Sequence, residues 1–273
     1  VDALEPLGRH HATIRRLRAL RRDAGLRRSE RVFIAEGFRL ADEALSAGAP
    51  VEFALIAPRA LSDEAGRELV GRLERRGVEI RATSEAVMDG LQDARSPRPL
   101  LLCVSMPVHE VEQVLDAGDE PALLVVPCGV QDPGNVGTLL RSTEAAWGTG
   151  LVALGGGADL FHPRAVRASA GSIFRLPACA AETDELLGAL RRRGVRCLAT
   201  GGAEGVDPTK ADLRGPVALF LGSEGGGIDA AIRRRLDGAL SVRLRPGVES
   251  LSVAAAAAVI LFEAARQRGK RGD

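Results

Sequence analysis

Val248-Glu249-Ser250-Leu251-Ser252-Val253 runs into the alanines 254–258 and then through Val259-Ile260-Leu261-Phe262-Glu263-Ala264-Ala265-Arg266-Gln267-Arg268. A loop of small polar residues thus opens a long apolar helix that closes on a charged tail, with Ser250 or Ser252 as its N-cap. Five alanines followed by Val-Ile-Leu-Phe make the helix apolar on nearly every side. Such a helix has to be covered on most faces, so it lies at the centre of a domain or is shared with a second copy of the chain.

Two upstream segments are placed to face this loop. The first is Gln131-Asp132-Pro133-Gly134-Asn135-Val136-Gly137-Thr138-Leu139-Leu140-Arg141, after the apolar run Leu123-Leu124-Val125-Val126. Alone, Asp132-Pro133-Gly134-Asn135 reads as a turn with Asn135 capping the next helix. That leaves Arg141 unexplained. It stands about 600° around the helix from Asn135, and both can face the carboxyl edge of a sheet if Asn135 belongs to the loop. Ligands bind at that edge in open α/β sheets. The second segment is Phe220-Leu221-Gly222-Ser223-Glu224-Gly225-Gly226-Gly227-Ile228, whose glycines let the backbone approach a ligand closely. It lacks the lysine of a phosphate loop. Gly148-Thr149-Gly150, a loose match to a dinucleotide fingerprint, enters a strand instead of leaving one. Glu224 repels phosphates and suits a ligand bearing hydroxyls and an ammonium group, or it caps neighbouring amides.

Working outward, short apolar runs without alternation occur at 122–126, 151–154, 196–200, 217–221 and 240–242, with helical stretches near 136–146, 163–171, 184–193 and 229–235. Strands of this kind are buried on both faces of a parallel sheet. Upstream, strands at 32–35, 53–56, 78–81 and 100–104 alternate with helices at 12–22, 39–47 and 63–76, which describes a smaller α/β domain. The expected division is residues 1–106, a linker over 107–120 and a second domain over 121–273.

Composition narrows the function classes. The 273 residues are 45% hydrophobic but only 3% aromatic, so the cores are built from Leu, Val and Ala. The net charge of +1 gives no nucleic-acid signal, but its distribution does. Between Arg9 and Arg31 nine arginines stand against Asp23 and Glu30, a local excess of +7. With few acidic partners at helical spacing, that is the footprint of a phosphate-backbone partner, and Arg15, Arg18, Arg21, Arg22, Arg27 and Arg28 are the candidate nucleic-acid contacts. The four cysteines (103, 128, 179, 197) and four histidines (10, 11, 109, 162) show no metal-ligand spacing, so no metal site is expected. The longest apolar run, Val253–Phe262, is ten residues, too short to span a bilayer. A soluble, cytoplasmic protein is expected.

The three motifs, in this order and at this spacing, resemble those of the SpoU (TrmH-like) family of RNA ribose 2'-O-methyltransferases in the SPOUT superfamily. The resemblance spans essentially the whole chain. Its strong part is 122–268, and the N-terminal part, with Phe33-Ile34-Ala35-Glu36-Gly37, is similar to the family's L30e-like substrate-binding domain. The resemblance implies a parallel-sheet catalytic domain with a deep trefoil knot, S-adenosyl-L-methionine as methyl donor, and a homodimer formed through the catalytic domains. It implies roles for Asn135, Arg141, Glu224 and Ser250 in catalysis. Thr200, Gly201, Leu221, Gly222, Glu224, Gly225, Val242, Leu244, Ser250 and Leu251 are implied to bind the cofactor. At position 252 the chain has Ser where the family usually reads Asn, and a hydroxyl cannot make an amide's two-ended bridge.

The implied reaction is attack of a ribose 2'-hydroxyl on a sulfonium methyl, which needs alignment, exclusion of water and removal of one proton. The family picture gives Arg141 a base-like role. The alternative is electrostatic stabilisation of the developing alkoxide, since a guanidinium is not expected to lose its proton. An RNA target is implied, most often 23S rRNA for this domain pairing. An enzyme of the avilamycin-resistance type is the narrower expectation. The alternatives are a tRNA 2'-O-methyltransferase, a non-catalytic RNA-binding protein of the same fold and a phosphate-binding nucleotide enzyme.

Overall fold

In the computed structural model, which describes residues 5–92, 98–116, 120–201 and 205–270, the His11 side chain accepts from the Thr13 amide and starts helix α1 (Ala12–Arg22). Ile14, Leu17 and Leu20 recur at helical spacing and are fully buried. Asp23 ends α1 and caps α2 (Ala24–Glu30), accepting from the Leu26 amide at 3.0 Å. The one buried residue of α2 is Arg27, whose guanidinium donates to the Leu20 carbonyl at 2.6 Å and the Arg21 carbonyl at 3.3 Å. Those carbonyls belong to the last turn of α1, which has no helical partners for them.

The chain continues through β1 (Val32–Glu36), α3 (Phe38–Ser46), β2 (Val51–Ile56), α4 (Glu64–Arg75), β3 (Glu79–Ala82), α5 (Glu85–Asp89) and β4 (Leu100–Ser105). The sheet order is β1-β4-β2-β3, with β4 antiparallel to both β1 and β2, and β2 parallel to β3. The α1 leucines pack with Ile34, Phe53, Leu55 and Leu101 into one core.

By packing, the chain forms two units, 1–107 with 161–174, and 108–160 with 175–273. The second contains α6 (Val111–Leu115), β5 (Leu123–Cys128), α7 (Pro133–Ala145) and β6 (Gly150–Leu154). After α8 (Pro163–Ala168) come β7 (Ala178–Ala181), α9 (Thr183–Arg192), β8 (Arg196–Thr200), β9 (Val217–Gly222), α10 (Ala230–Arg233), β10 (Gly238–Leu240) and α11 (Val253–Gln267). The six strands form an all-parallel sheet in the order β10-β8-β9-β5-β6-β7. On one face α6 and α9 pack over Leu124, Val126, Ala218 and Phe220. Side chains alternate along a strand, and α7 and α11 pack together against the sheet's other residues. Residues 117–119 of the expected linker lie outside the described residues.

The helix read near 163–171 sits between two strands of the second sheet in sequence, yet its segment packs with the first unit. The rings of Phe161 and Phe174 lie 5.1 and 5.9 Å from that of Phe33 on β1. Arg167 reaches Glu36 at 3.3 Å, and the same carboxylate, 1% exposed, meets Arg21 at 3.2 Å. Two guanidiniums on a buried carboxylate supply the neutralisation that burial demands.

Candidate active site

Each loop singled out in the sequence leaves the carboxyl end of a parallel strand in the second unit. Gly201, with φ of +93°, turns the chain out of β8. Beyond β9 the Ser223 and Gly227 amides and carbonyls pair at 2.9 and 3.1 Å, so the glycine loop folds back as a closed hairpin. A Cβ on Gly222 would sit on the Gly227 carbonyl carbon, so glycine is required there, and the φ of +63° at Gly227 favours glycine. Residues 241–251 follow β10 and end at Ser252, whose hydroxyl caps α11 by accepting from the Ala255 amide at 3.3 Å. Ser252 is therefore the cap, and Ser250 is left facing a cavity.

Two cavities of about 570 and 550 Å³ share Thr200, Gly201, Ser250, Leu251 and Ala256 in their walls, so they form one continuous cleft. Val242 and Leu244 line the first part; Leu221, Gly222 and Glu224 line the second. Gly225 does not line either part, although the sequence placed it there. The walls also contain Ser241 and Arg233, which no motif marked, together with Arg243 between Val242 and Leu244 and Glu249 of the third motif. Arg233 is four residues beyond the α10 cap Asp229, directly after the glycine loop, which was its only signal.

The first motif is tied to this cleft by one hydrogen bond, from Asn135 Nδ2 to Glu224 Oε1. Asn135 is not the N-cap. Asp132 caps α7, accepting from the Gly134 amide at 3.0 Å, and Asn135 lies in the first turn. Gln131 braces the loop by donating to the carbonyls of Gly129 at 3.1 Å and Gly156 at 2.5 Å, linking the loops after β5 and β6. Arg141 is exposed, two turns further along α7, and makes no side-chain hydrogen bond or ion pair among the described residues. With Asn135 inside the helix, the two side chains leave the axis about 120° apart.

No group of three or more His, Cys, Asp or Glu able to hold a metal gathers among the described residues. All four cysteines are free and buried, and burial pushes Cys103 and Cys128 up to about 12, and Cys179 and Cys197 up to about 11. No thiolate nucleophile is available at neutral pH. No described helix is long and apolar enough to cross a membrane.

The arginine cluster of the first unit divides in two. Arg15, Arg22 and Arg28 are exposed and Arg18 is half-buried. Arg27, read from sequence as an RNA contact, is 1% exposed and occupied by helix carbonyls. Arg21 is held on buried Glu36. The charge count alone gave no way to separate these two from the rest, because it does not register what each guanidinium already touches.

A cleft built from three strand-end loops of a parallel sheet, beside an Asn–Glu pair, is a ligand site of the kind open α/β sheets build at their carboxyl edge. Residues 122–262 match the SpoU rRNA Methylase family, and residues 11–101 match the MRM3-like substrate binding domain. The chain belongs to the SpoU rRNA methylase family. It is 31% identical over 231 residues to the 23S rRNA (guanosine(2553)-2'-O)-methyltransferase RlmP of Bacillus subtilis, covering 84% of this chain and 87% of that one. It is 30% identical over 242 residues to the 23S rRNA (uridine(2479)-2'-O)-methyltransferase of Streptomyces viridochromogenes, covering 86% and 83%. The crystal structure of the SpoU methyltransferase AviRb from that organism, in complex with AdoMet, superimposes with a TM-score of 0.84 at 28% identity, over 95% of this chain and 98% of that one.

Proposed function

We propose that the protein transfers a methyl group from S-adenosylmethionine to a ribose 2'-hydroxyl of 23S rRNA. The observation that carries the reading is the continuous cleft with the Asn135–Glu224 pair beside it. The wall chemistry fits the donor. Val242, Leu244, Leu251 and Ile260 offer apolar surface for a purine, Glu224 and Glu249 offer carboxylates to a cationic ligand, and Thr200, Gly201 and Gly222 bring main chain close. When bound, S-adenosylmethionine supplies an activated methyl on a sulfonium. The residues of the chain do the rest. Glu224 fixes the orientation of the Asn135 amide, and Arg141, exposed on α7 with no side-chain partner among the described residues, is given the role of stabilising negative charge developing on the ribose oxygen. The two relatives differ in target base, so the reading fixes the ribose chemistry and leaves the nucleotide to mapping.

RNA is held by the first unit through Arg15, Arg18, Arg22 and Arg28. The second unit is knotted as the resemblance implies, with α11 closing against the segment 205–216. Support comes from its last turn, where Gln267 and Arg268 bond to carbonyls at 208, 211, 213 and 215. The working unit is a homodimer, supported by an exposed apolar stripe on α11.

Purified protein with S-adenosylmethionine and unmodified 23S rRNA, with EDTA present, is the test. A new primer-extension stop at low nucleotide concentration, specific to one ribose, is the expected outcome. Absence of both cofactor binding and methyl transfer overturns the reading.

A further inference from the structure

Gln267, in the last turn of α11, uses its amide fully on a loop that has no regular structure. Its Oε1 accepts from the Leu213 amide at 2.8 Å, and its Nε2 donates to the carbonyls of Ala211 at 3.0 Å and Pro208 at 3.2 Å and to Glu263 at 2.9 Å. Arg268 continues the grip, donating to Leu213 at 2.9 Å and Gly215 at 2.7 Å, and to Pro121 and Ala122 at the start of β5. Burial pulls the Arg268 guanidinium below its ordinary range.

The residues just before this loop lie along the cleft wall. Val206 donates to the Ala239 carbonyl and accepts from the Ser241 amide, both at 2.9 Å. A Cβ on Gly205 would come within 2.6 Å of the Leu240 carbonyl carbon and the Ser241 nitrogen, so the two backbones are in contact. Asp207 accepts from Thr209 and faces Arg243 at 3.8 Å. Ser241, Val242, Arg243 and Leu244 are themselves the wall. A continuous series of contacts therefore runs from Gln267 through 208–213 and 205–207 to the cleft. Neither Gln267 nor the loop 208–213 lines the cleft itself.

We propose that Gln267 is a positioning residue for the methyl donor: by latching the loop 208–213 to the end of α11 it holds the wall 241–244 in its binding form. The proposal rests on the methyltransferase reading above. A plain helix-end staple would add stability and leave cofactor affinity alone, and this difference can be measured. In Gln267→Ala and in the near-isosteric Gln267→Leu, the Kd and KM for S-adenosylmethionine should rise about fivefold or more, while kcat at saturation stays within about twofold of wild type. Lys210, in the middle of the latched loop, should be cut faster by trypsin in both variants, because cleavage follows the open population. Coupling is reciprocal, so S-adenosylmethionine should slow cleavage at Lys210 in the wild-type protein, which decides the matter even if the variants fold poorly. A lowered melting temperature with unchanged cofactor affinity, or wild-type cleavage at Lys210 indifferent to cofactor, overturns the latch alone. Failure of wild-type protein to bind S-adenosylmethionine would sink the methyltransferase reading, and the latch with it.

Discussion

At the scale of single residues, the hydrogen bond from Asn135 to Glu224 joins two motifs 89 positions apart, so neither side chain acts alone. Removing either frees the other, and their losses should overlap. Asn135→Ala and Glu224→Ala are each expected to cost nearly as much in kcat/KM as the double variant, as for residues in direct contact. Losses that multiply would show that the bond is incidental. Arg141 stands apart, with no side-chain partner among the described residues to release. Its replacement by Ala should lower methyl transfer by about 100-fold or more, the scale for losing an electrostatic stabiliser, with cofactor Kd within several-fold of wild type. Equal loss of cofactor binding would make Arg141 a cofactor ligand instead.

At the scale of elements, α1 and α2 divide one run of arginines between an exposed set, proposed to hold RNA, and a set engaged within the fold. Arg15, Arg18 and Arg22 lie outside the Ile14–Leu17–Leu20 face, while Arg27 turns inward to the carbonyls that end α1. Replacing the first three by Glu should weaken binding to many RNAs alike and flatten its salt dependence, since phosphate contacts carry affinity but little sequence choice. Arg27→Ala should leave the salt slope unchanged and cost about 2 kcal/mol or more of stability, from buried carbonyls left unpaired. The same contrast explains what the sequence showed and what it hid. Helix α1 was legible because its apolar residues repeat at helical spacing beside clear end signals. Helix α2 was not, because its only buried residue is an arginine. Strand β7, Ala178–Ala181, lacks β-branched residues and was missed for that reason. The cleft loops were legible because ligand loops leave the carboxyl ends of parallel strands. Ser241 was not, because the path of the backbone alone puts it on the wall.

At the scale of the whole molecule, periodicity could not tell which core would receive the segment 161–174. The aromatic partner of Phe161 and Phe174 is Phe33, far upstream, and nothing local announces that choice. The sequence likewise showed that α11 is apolar all round without showing which side its own unit covers. Ala257 is fully buried, together with Ala254, Ile260, Leu261 and Ala264, so an arginine at 257 would disrupt the unit's own core. The opposite side holds Val259 at 47% and Phe262 at 51% exposure, with Val206 and Val248 at 50% each in the same unit. Large apolar side chains exposed together on one helix, here Val259 and Phe262, mark an interaction surface, and a stable pair of subunits needs about 1,000 Å² or more of buried surface, with apolar residues at its centre. On the proposed homodimer reading, a second copy supplies that cover. Phe262→Arg and Val259→Asp should therefore give well-folded monomers, seen by sedimentation at micromolar concentration, with methyl transfer reduced and the melting temperature no longer dependent on protein concentration. Wild-type protein that sediments as a fully active monomer under the same conditions would show that this stripe serves some other partner.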